Sequence, residues 1–445
     1  MHETTTQVDF PFVGRRSVRT AFDAGAISSD GGAVLLAQVE RRLGLLRSVA
    51  DAVHDDRDPR LVGHSIYDLV RQRVFQIALG YEDCNDATTL RSDPVLKVCC
   101  GRDPVHDDNL GSQPTLSRLE NAVSRKDCYR IARALLDSYC ARHAEQPSQI
   151  TIDLDTTDDP LHGQQELRFY HAYYGEYVYQ PLLIFDQDGD LITAVLQPGK
   201  TGGPAAVVAV VKRIIKKLRA RWSDVPILIR GDSGFASPEL YRMTEQLGVH
   251  FLVGIGTNKR LKKLAARLAE KARREYLRSG HKVRVFKTVS YRALKKWNRS
   301  YRVVIKCEHS AQGANTRFVV TSMHWHSGGF YDWYAERGEA SENSIKDLKR
   351  ALKADRLSCH RFVANQFRLL LHAAAYVLMY ELRRAAQGTS LERVQMDTLR
   401  LRVLKIGARV ESTARRIWLH LSSSHPWQSL FATIARRLIV VDGFA

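Results

Sequence analysis

The chain has 445 residues, with 67 Lys plus Arg against 48 Asp plus Glu and a formal net charge of +19. That length allows a large core and two to three domains, and the cation excess points to a polyanionic partner, because each neutralised phosphate releases counterions. Seven cysteines, an odd number with no Cys-x-x-Cys pair, argue against a zinc site or a disulfide framework and read as reduced thiols. The opening Met1-His-Glu-Thr-Thr-Thr6 lacks the basic and apolar regions of a secretory signal. The most apolar stretch, Leu369 to Tyr380, is short and carries His372, so a core helix is expected and no membrane span, with a cytoplasmic location.

Residues 1–146 read as a mostly helical N-terminal domain. Val34, Leu35, Leu36, Val39 and Leu43 have helical spacing, as do the apolar residues from Ile66 to Leu79. Ser112 to Glu120 predicts a short helix with Pro114 in its first turn. Ser124-Arg-Lys-Asp127 resembles a capping box opening a longer helix through Cys140. Two helices this close suit a helix-turn-helix in which Thr115, Ser117 and Arg118 reach DNA. The plain alternative is a helical subdomain with solvated polar faces, and the net charge alone favours DNA.

Residues 147–255 change character. Ile150, Ile152 and Leu154 alternate with Thr151, Asp153 and Asp155, the two-residue period of a strand with one apolar face. The polar face therefore carries two carboxylates at the strand's end. Tyr179–Phe185 and Leu191–Leu196, joined by Asp186-Gln-Asp-Gly189, predict an antiparallel hairpin. A helix follows from Pro204 to about Trp222. Pro226–Gly231 is nearly all apolar, as a covered parallel strand would be, and ends at Asp232. Ser237-Pro-Glu239 caps the next helix and His250–Gly254 is a fifth strand. The β-β-β-α-β-α-β order predicts an α/β fold with a ribonuclease-H-like mixed sheet.

Residues 256–330 interrupt that order. Lys259 to Lys306 holds 18 Lys or Arg and two acids, a net +16 out of the chain's +19. Leu261, Leu264, Leu268 and Ala272 predict a basic helix, and Val283–Phe286, Tyr301–Ile305 and Phe318–Thr321 a small antiparallel sheet. So dense a charge favours a seat for a nucleic-acid backbone over a merely solvated face. Residues 331–390 supply a helix from Tyr334 to about Ala354, in which Glu342, Lys346 and Lys349 share a face, and a second, apolar helix from Phe362 to Leu382. In residues 391–445, Leu399–Ile406 and Arg416–Leu421 suggest a strand pair before a helix near Trp427–Leu438.

In the ribonuclease-H-like order the first and fourth strands are neighbours, so Asp155 and Asp232, 77 residues apart, meet at their ends. Glu342 arrives on a helix 110 residues later. Three converging carboxylates are what a pair of Mg²⁺ ions needs, since hard cations take oxygen ligands and two such ions serve an in-line phosphoryl displacement.

These pieces resemble a DDE transposase of a bacterial insertion sequence, of the group with a Tyr-Arg-Glu-Lys signature and a β-rich insert (insertion-sequence family 1380 type). The resemblance rests on Asp155-Thr-Thr157, Asp158-Asp-Pro-Leu-His-Gly163, Arg230-Gly-Asp-Ser-Gly-Phe235, then Tyr334, Arg337, Glu342-Asn-Ser-Ile-Lys346 and Lys349. It implies metal-dependent cleavage and strand transfer at inverted-repeat ends, with Asp155, Asp232 and Glu342 as catalytic metal ligands for two Mg²⁺, Mn²⁺ serving as substitute. It implies double-stranded DNA as partner, at the ends and at the target, and a homodimer in the DNA complex of a nucleoid-associated protein. Tyr334, Arg337, Lys346 and Lys349 would lie beside phosphates, and Trp297 with Lys295, Lys296 and Arg118 would bind DNA. In the usual signature three residues separate the arginine from the acid, which would place it at Ser341; here four separate Arg337 from Glu342. Here Glu342 is preferred over Glu339 because it keeps the six-residue gap to Lys349.

Several alternatives stay open. Asp153 shares the face of Asp155. Trp297 either stacks on a base or packs the small sheet. His162 is expected to make a structural hydrogen bond, and Tyr170, Tyr173 and Tyr174 to pack. A nuclease without strand transfer, or a DNA-binding protein with a dead site, are the competing functions.

Overall fold

A computed structural model describes residues 7–13, 16–172, 175–199, 204–293, 297–324 and 326–439. Lys295, Lys296, Tyr173 and Tyr174 lie outside these. The chain divides into two compact units: Cys128–Lys349 with Ala354–Ala373, and Met1–Asp127 with Arg350–Lys353 and Ala374–Ala445.

The first of these units is built on one eight-stranded mixed sheet. Its strands in chain order are β1 (Ile150–Thr156), β2 (Leu182–Asp186), β3 (Leu191–Val195), β4 (Ile227–Gly231), β5 (His250–Gly254), β6 (Val283–Tyr291), β7 (Tyr301–Ser310) and β8 (Gly313–Thr321). They lie in the order β6-β7-β8-β5-β4-β1-β2-β3. β4 runs parallel to both β1 and β5, while β2, β3 and the β6–β8 strands are antiparallel to their neighbours. The first and fourth strands are thus neighbours.

Alternation sorts the side chains between two faces. Ile150, Ile152, Leu154, Ile227 and Ile229 turn to one side, beneath α1 (Pro204–Arg221), α2 (Pro238–Gln246) and α3 (Lys259–Ser279). Val211, Ile214, Ile215 and Leu218 are the buried stripe of α1. Ser237 and Asn258 cap α2 and α3 by accepting the amides of Leu240 and Leu261. On the other face Leu228, Leu252, Val304 and Val319 pack against Phe330 of α4 (Ser327–Lys346).

Three expectations change here. The insert is not a separate sheet: β8 pairs with β5, so its strands extend the central sheet. Tyr179–Phe185 is not one strand, because Pro181 has no N–H to donate. Glu176–Tyr179 pairs instead with Asp159–Pro160 and Phe169–His171 in a small sheet of its own. The helix predicted from Tyr334 begins earlier, at Ser327, and passes at Asp347 into a π-helical turn through Ala351.

The other unit is mainly helical, as the periodicity predicts. Ser124 and Asp127 form the expected reciprocal cap, Ser124 Oγ accepting the Asp127 amide at 3.2 Å and Asp127 Oδ2 the Ser124 amide at 2.7 Å. An antiparallel pair, Val8–Val13 with Arg16–Thr20, was not anticipated. Nor is Leu399–Ile406 a strand. Met396–Leu399 is helical and Arg400–Leu404 a π-turn, with Leu399 and Val403, four apart, buried while Leu401 is 67% exposed. Its Leu-Arg-Leu-Arg alternation imitates a strand. The strand is Ala408–Ser412, paired with Ile417–Leu421, and Gln428–Ile439 is the expected late helix.

One helix among the described residues, α5 (Phe362–Ala385), is long and apolar enough to cross a membrane, and 83% of its apolar window is buried. It serves as core. All seven cysteines are free thiols, six of them buried.

Candidate active site

The parallel pair β4–β1 sets Arg230 opposite Asp153 and Gly231 opposite Leu154. Asp155 on β1 and Asp232 just past β4 follow, at neighbouring carboxyl ends. Asp155 is half-buried, its Oδ1 accepting the Thr156 amide at 2.9 Å and its Oδ2 facing Arg337 Nη1 at 3.1 Å. Asp232 caps a short 3₁₀ turn by accepting the Gly234 amide at 2.8 Å. Burial pushes the Asp155 carboxyl above its ordinary range, Arg337 pulls it down, and the charge of Asp232 pushes it up again. The two carboxylates feel each other, which is what adjacency across a strand pair produces.

Asp153, two residues earlier on the same face, has a different task. Its oxygens take a two-pronged ion pair from Arg230, at 2.7 Å to Nε and 2.7 Å to Nη2. Arg230 Nη1 continues to the Trp333 carbonyl of α4 at 2.8 Å. Both side chains are fully buried. Asp153 is therefore a structural acid that ties β1 to β4 and β4 to α4. From the sequence, Arg230 stands out only as part of the Arg230–Phe235 motif, without this pairing. The available signal was parity: with the first and fourth strands adjacent, a cation on the polar face of one suits a buried acid on the other.

α4 lies on the face that carries these carboxylates. Tyr334 reaches the end of β5, where a Cβ on Gly254 would stand 2.6 Å from its hydroxyl and 3.1 Å from the Ser233 amide. Only glycine leaves that space. Burial raises the Tyr334 phenol, and the charge of Asp232 adds to the rise. Arg337, one turn on, is buried against Asp155 and also lies 5.8 Å from the Tyr334 ring. Tyr334 and Arg337 thus join Asp155 and Asp232 in one cluster.

The remaining predicted residues are placed as follows. Glu342 pairs with Lys346, one turn away, at 2.7 Å, and its side chain is 67% exposed. Ser341, where the usual signature has its acid, is buried. Lys349 does not lie against Glu342. The π-turn carries it to the end of β1, where Nζ meets the Asp158 carbonyl at 2.8 Å, Asp158 Oδ1 at 3.3 Å and Thr157 Oγ1 at 3.3 Å. Arg118 is exposed on the helix Gln113–Ala122. Trp297 is buried, with Tyr241, Tyr291 and Tyr301 set edge-on around it at 5.4–5.5 Å. That is packing, and it corrects the stacking role, since an enclosed indole offers no open face to a base. His162 is exposed, without the expected structural bond among the described residues. Tyr170 packs edge-on against Tyr177 at 5.7 Å.

The family model for the transposase DDE domain, group 1, matches residues 10–441. The chain belongs to the transposase DDE domain group 1 family. Membership supports transposase function, that is, DNA cleavage and transfer in general, and such DDE domains generally use divalent metal ions. No curated protein matches the chain. A cryo-EM structure of the piggyBac transposase synaptic complex with hairpin DNA aligns over 91% of this chain and 81% of its own, at 12% identity and a TM-score of 0.42.

For a family that uses divalent ions, the donor set here fits in part. Among the described residues no group of three or more Asp, Glu, His or Cys is drawn together as a metal site. Two carboxylates stand at neighbouring strand ends close enough to feel each other, and the Arg337 guanidinium pairs with Asp155. A small hard cation needs only one or two carboxylates besides water and substrate phosphate, so the Asp155–Asp232 pair suits one.

Proposed function

We propose that this transposase cleaves insertion-sequence ends and joins them to target DNA, using a ribonuclease-H-like core with Asp155, Asp232 and Glu342 as its acids. The observation that carries the reading is the meeting of Asp155 and Asp232 at adjacent parallel strand ends, with Tyr334 and Arg337 across them. Asp155 and Asp232, with Glu342 as third ligand, would hold Mg²⁺, or Mn²⁺ in its place, and such ions polarise the attacking and leaving oxygens of an in-line displacement. Arg337 balances the buried charge of Asp155 before substrate arrives, and its guanidinium is a ready donor to a phosphate oxygen. Lys349, held at Thr157 and Asp158, adds a second cation at the same strand end. Tyr334 closes the β5 side. The insert belongs to this core, and the helical segment before residue 147 is the end-binding part. The working form is a homodimer on double-stranded DNA, in a bacterial cytoplasm at the nucleoid.

The test is strand transfer by the purified protein on end DNA, with Mg²⁺ or with chelator. Joined products should form with Mg²⁺ alone and vanish in Asp155→Ala and Asp232→Asn. Hydrolysed strands without joining would make it a nuclease. Full activity in Asp155→Ala would remove that ligand. Loss in Glu342→Ala with activity kept in Glu339→Ala would assign the third acid.

A further inference from the structure

Described cations of the insert lie on both faces of the sheet. Those of α3, exposed from Lys259 to Arg278, sit on a helix whose Leu261, Ala265 and Ala272 pack with Val303 and Ile305. That is the face turned away from Asp155 and Asp232. Arg302 lies on the other face, the parity of Val304 and Phe330, and so on the carboxylate side. There, beyond the stretch covered by α4, an open groove of about 530 Å³ is lined by Arg299, Arg302, His324, Thr288, Ser290 and Ser300, with Tyr301, Thr321 and Ser322.

The chemistry of this groove is that of an oxyanion receptor. No carboxylate lines it. Glu245 stands behind, holding Arg299 Nε at 2.9 Å, and the Arg299 guanidinium rests 5.2 Å from the Tyr301 ring. Both interactions fix the fork while leaving its terminal nitrogens without a protein partner among the described residues. Arg302 Nη2 lies 2.7 Å from His324 Nδ1. An Arg can only donate, so Nδ1 accepts and His324 Nε2 carries a hydrogen to offer. Thr321 and Ser322 spend their hydroxyls on the β5 backbone, Thr321 to the Phe251 carbonyl and Ser322 from the Phe251 amide. The hydroxyls of Thr288, Ser290 and Ser300 have no partner among the described residues. Two planar guanidinium groups, an imidazole N–H and three hydroxyls, with no acid among them, match a phosphodiester.

We propose that this groove is a second DNA-backbone site, gripping a phosphate of the same duplex whose scissile strand lies at Asp155 and Asp232. The reading rests on the proposed transposase function and adds where the duplex must run. The groove lies toward the amino end of β5, since Ser322 bonds His250 and Phe251, whereas the carboxylates lie at the opposite end of the parallel strands. Four residues along β5 and three strand spacings across give about 20 Å. At 3.4 Å per base pair that is about six base pairs from the reacting phosphate. α3, on the other face, cannot touch the same stretch.

The experiment uses the full chain with Arg302→Gln and Arg299→Gln/Arg302→Gln, Arg302→Lys as the charge-keeping control, and thermal unfolding to confirm folding. Binding is measured against salt for end duplexes of graded length and for a random duplex. For end duplexes reaching well past six base pairs, the Gln variants should bind about tenfold more weakly. The slope of log K against log salt should fall by about 1–2. The deficit should vanish for shorter duplexes, and also when a neutral methylphosphonate replaces phosphates about six base pairs from the cut. A deficit on the random duplex alone would assign the groove to target DNA and overturn the shared-duplex proposal. Unchanged slopes in variants that still bind and cleave would overturn the groove while leaving the transposase reading intact. A wild-type protein that binds the groove-length duplex but cleaves nothing would overturn that reading instead.

Discussion

Two aspartates near the Asp155–Asp232 pair show how one residue type takes different tasks from its surroundings. Asp153 stays an ion-pair partner because Arg230 meets both its oxygens in a buried setting. Removing either partner of such a pair strands a charge, a loss on the order of 3–5 kcal/mol. Asp159 has no such partner among the described residues: it is fully buried, and neither carboxyl oxygen has a hydrogen bond there. Burial, with Asp355 nearby, pushes its carboxyl up to about 9. The unfolded group loses its proton near pH 4, roughly its ordinary value. From there up to about 9 the folded state holds the extra proton, so this group's contribution to stability falls as pH rises through that window. Wild-type protein should therefore lose more of its melting temperature between pH 5 and pH 8 than Asp159→Asn does. Parallel curves for the two proteins would show that Asp159 is already ionised or has found a partner.

At the scale of elements, α4 organises the site and the aromatic cluster organises the insert. α4 touches β1 through Arg337, β4 through Trp333 and β5 through Tyr334, so one helix reads three strand ends. The π-turn after it brings Lys349 to Asp158. A π-turn winds an extra residue into one turn of a helix, and this helix has one more residue between Arg337 and Glu342, the proposed acid, than the usual signature. Trp297 fills the space among Tyr241, Tyr291 and Tyr301, where α2 meets the insert strands. Trp297→Ala should lower stability by about 3–5 kcal/mol, read by denaturant or thermal unfolding, with DNA affinity of the folded fraction unchanged. Trp297→Phe should recover much of it. A stable Trp297→Ala that has lost only DNA binding would return the indole to a stacking role.

For the whole molecule, charge placement matters more than its sum. Of the 18 cations between Lys259 and Lys306, nine sit on a helix on one sheet face, while Arg299 and Arg302 line a groove on the other. Exchanging Lys262, Lys263, Arg267 and Lys271 of α3 for Gln should weaken binding to random duplex and flatten its salt dependence, by up to about 0.9 for each phosphate that is no longer neutralised. The cleavage rate at saturating end DNA should stay the same, because α3 lies away from the carboxylates. A fall in that rate would mean that α3 touches the reacting duplex after all.

Period and punctuation made much of this legible in advance. Apolar alternation marked β1, nearly continuous apolar runs marked β4 and β5, capping residues marked α2 and the helix opened by Ser124, and the resemblance carried by short motifs pointed to Asp155, Asp232, Tyr334 and Arg337. These are local signals, carried by the chemistry of adjacent residues. Whatever depended on which segments come together was beyond them. The insert strands joined the central sheet because β5 had a free edge to pair with. Arg230 claimed Asp153 because β4 and β1 align in that register. Trp297 turned inward because three tyrosines converge on it from distant positions, and Lys349 left Glu342 because the helix widens before it. A pattern along the chain states which groups want burial or a partner; three-dimensional packing alone selects the partner, since that choice is made by groups far apart in sequence.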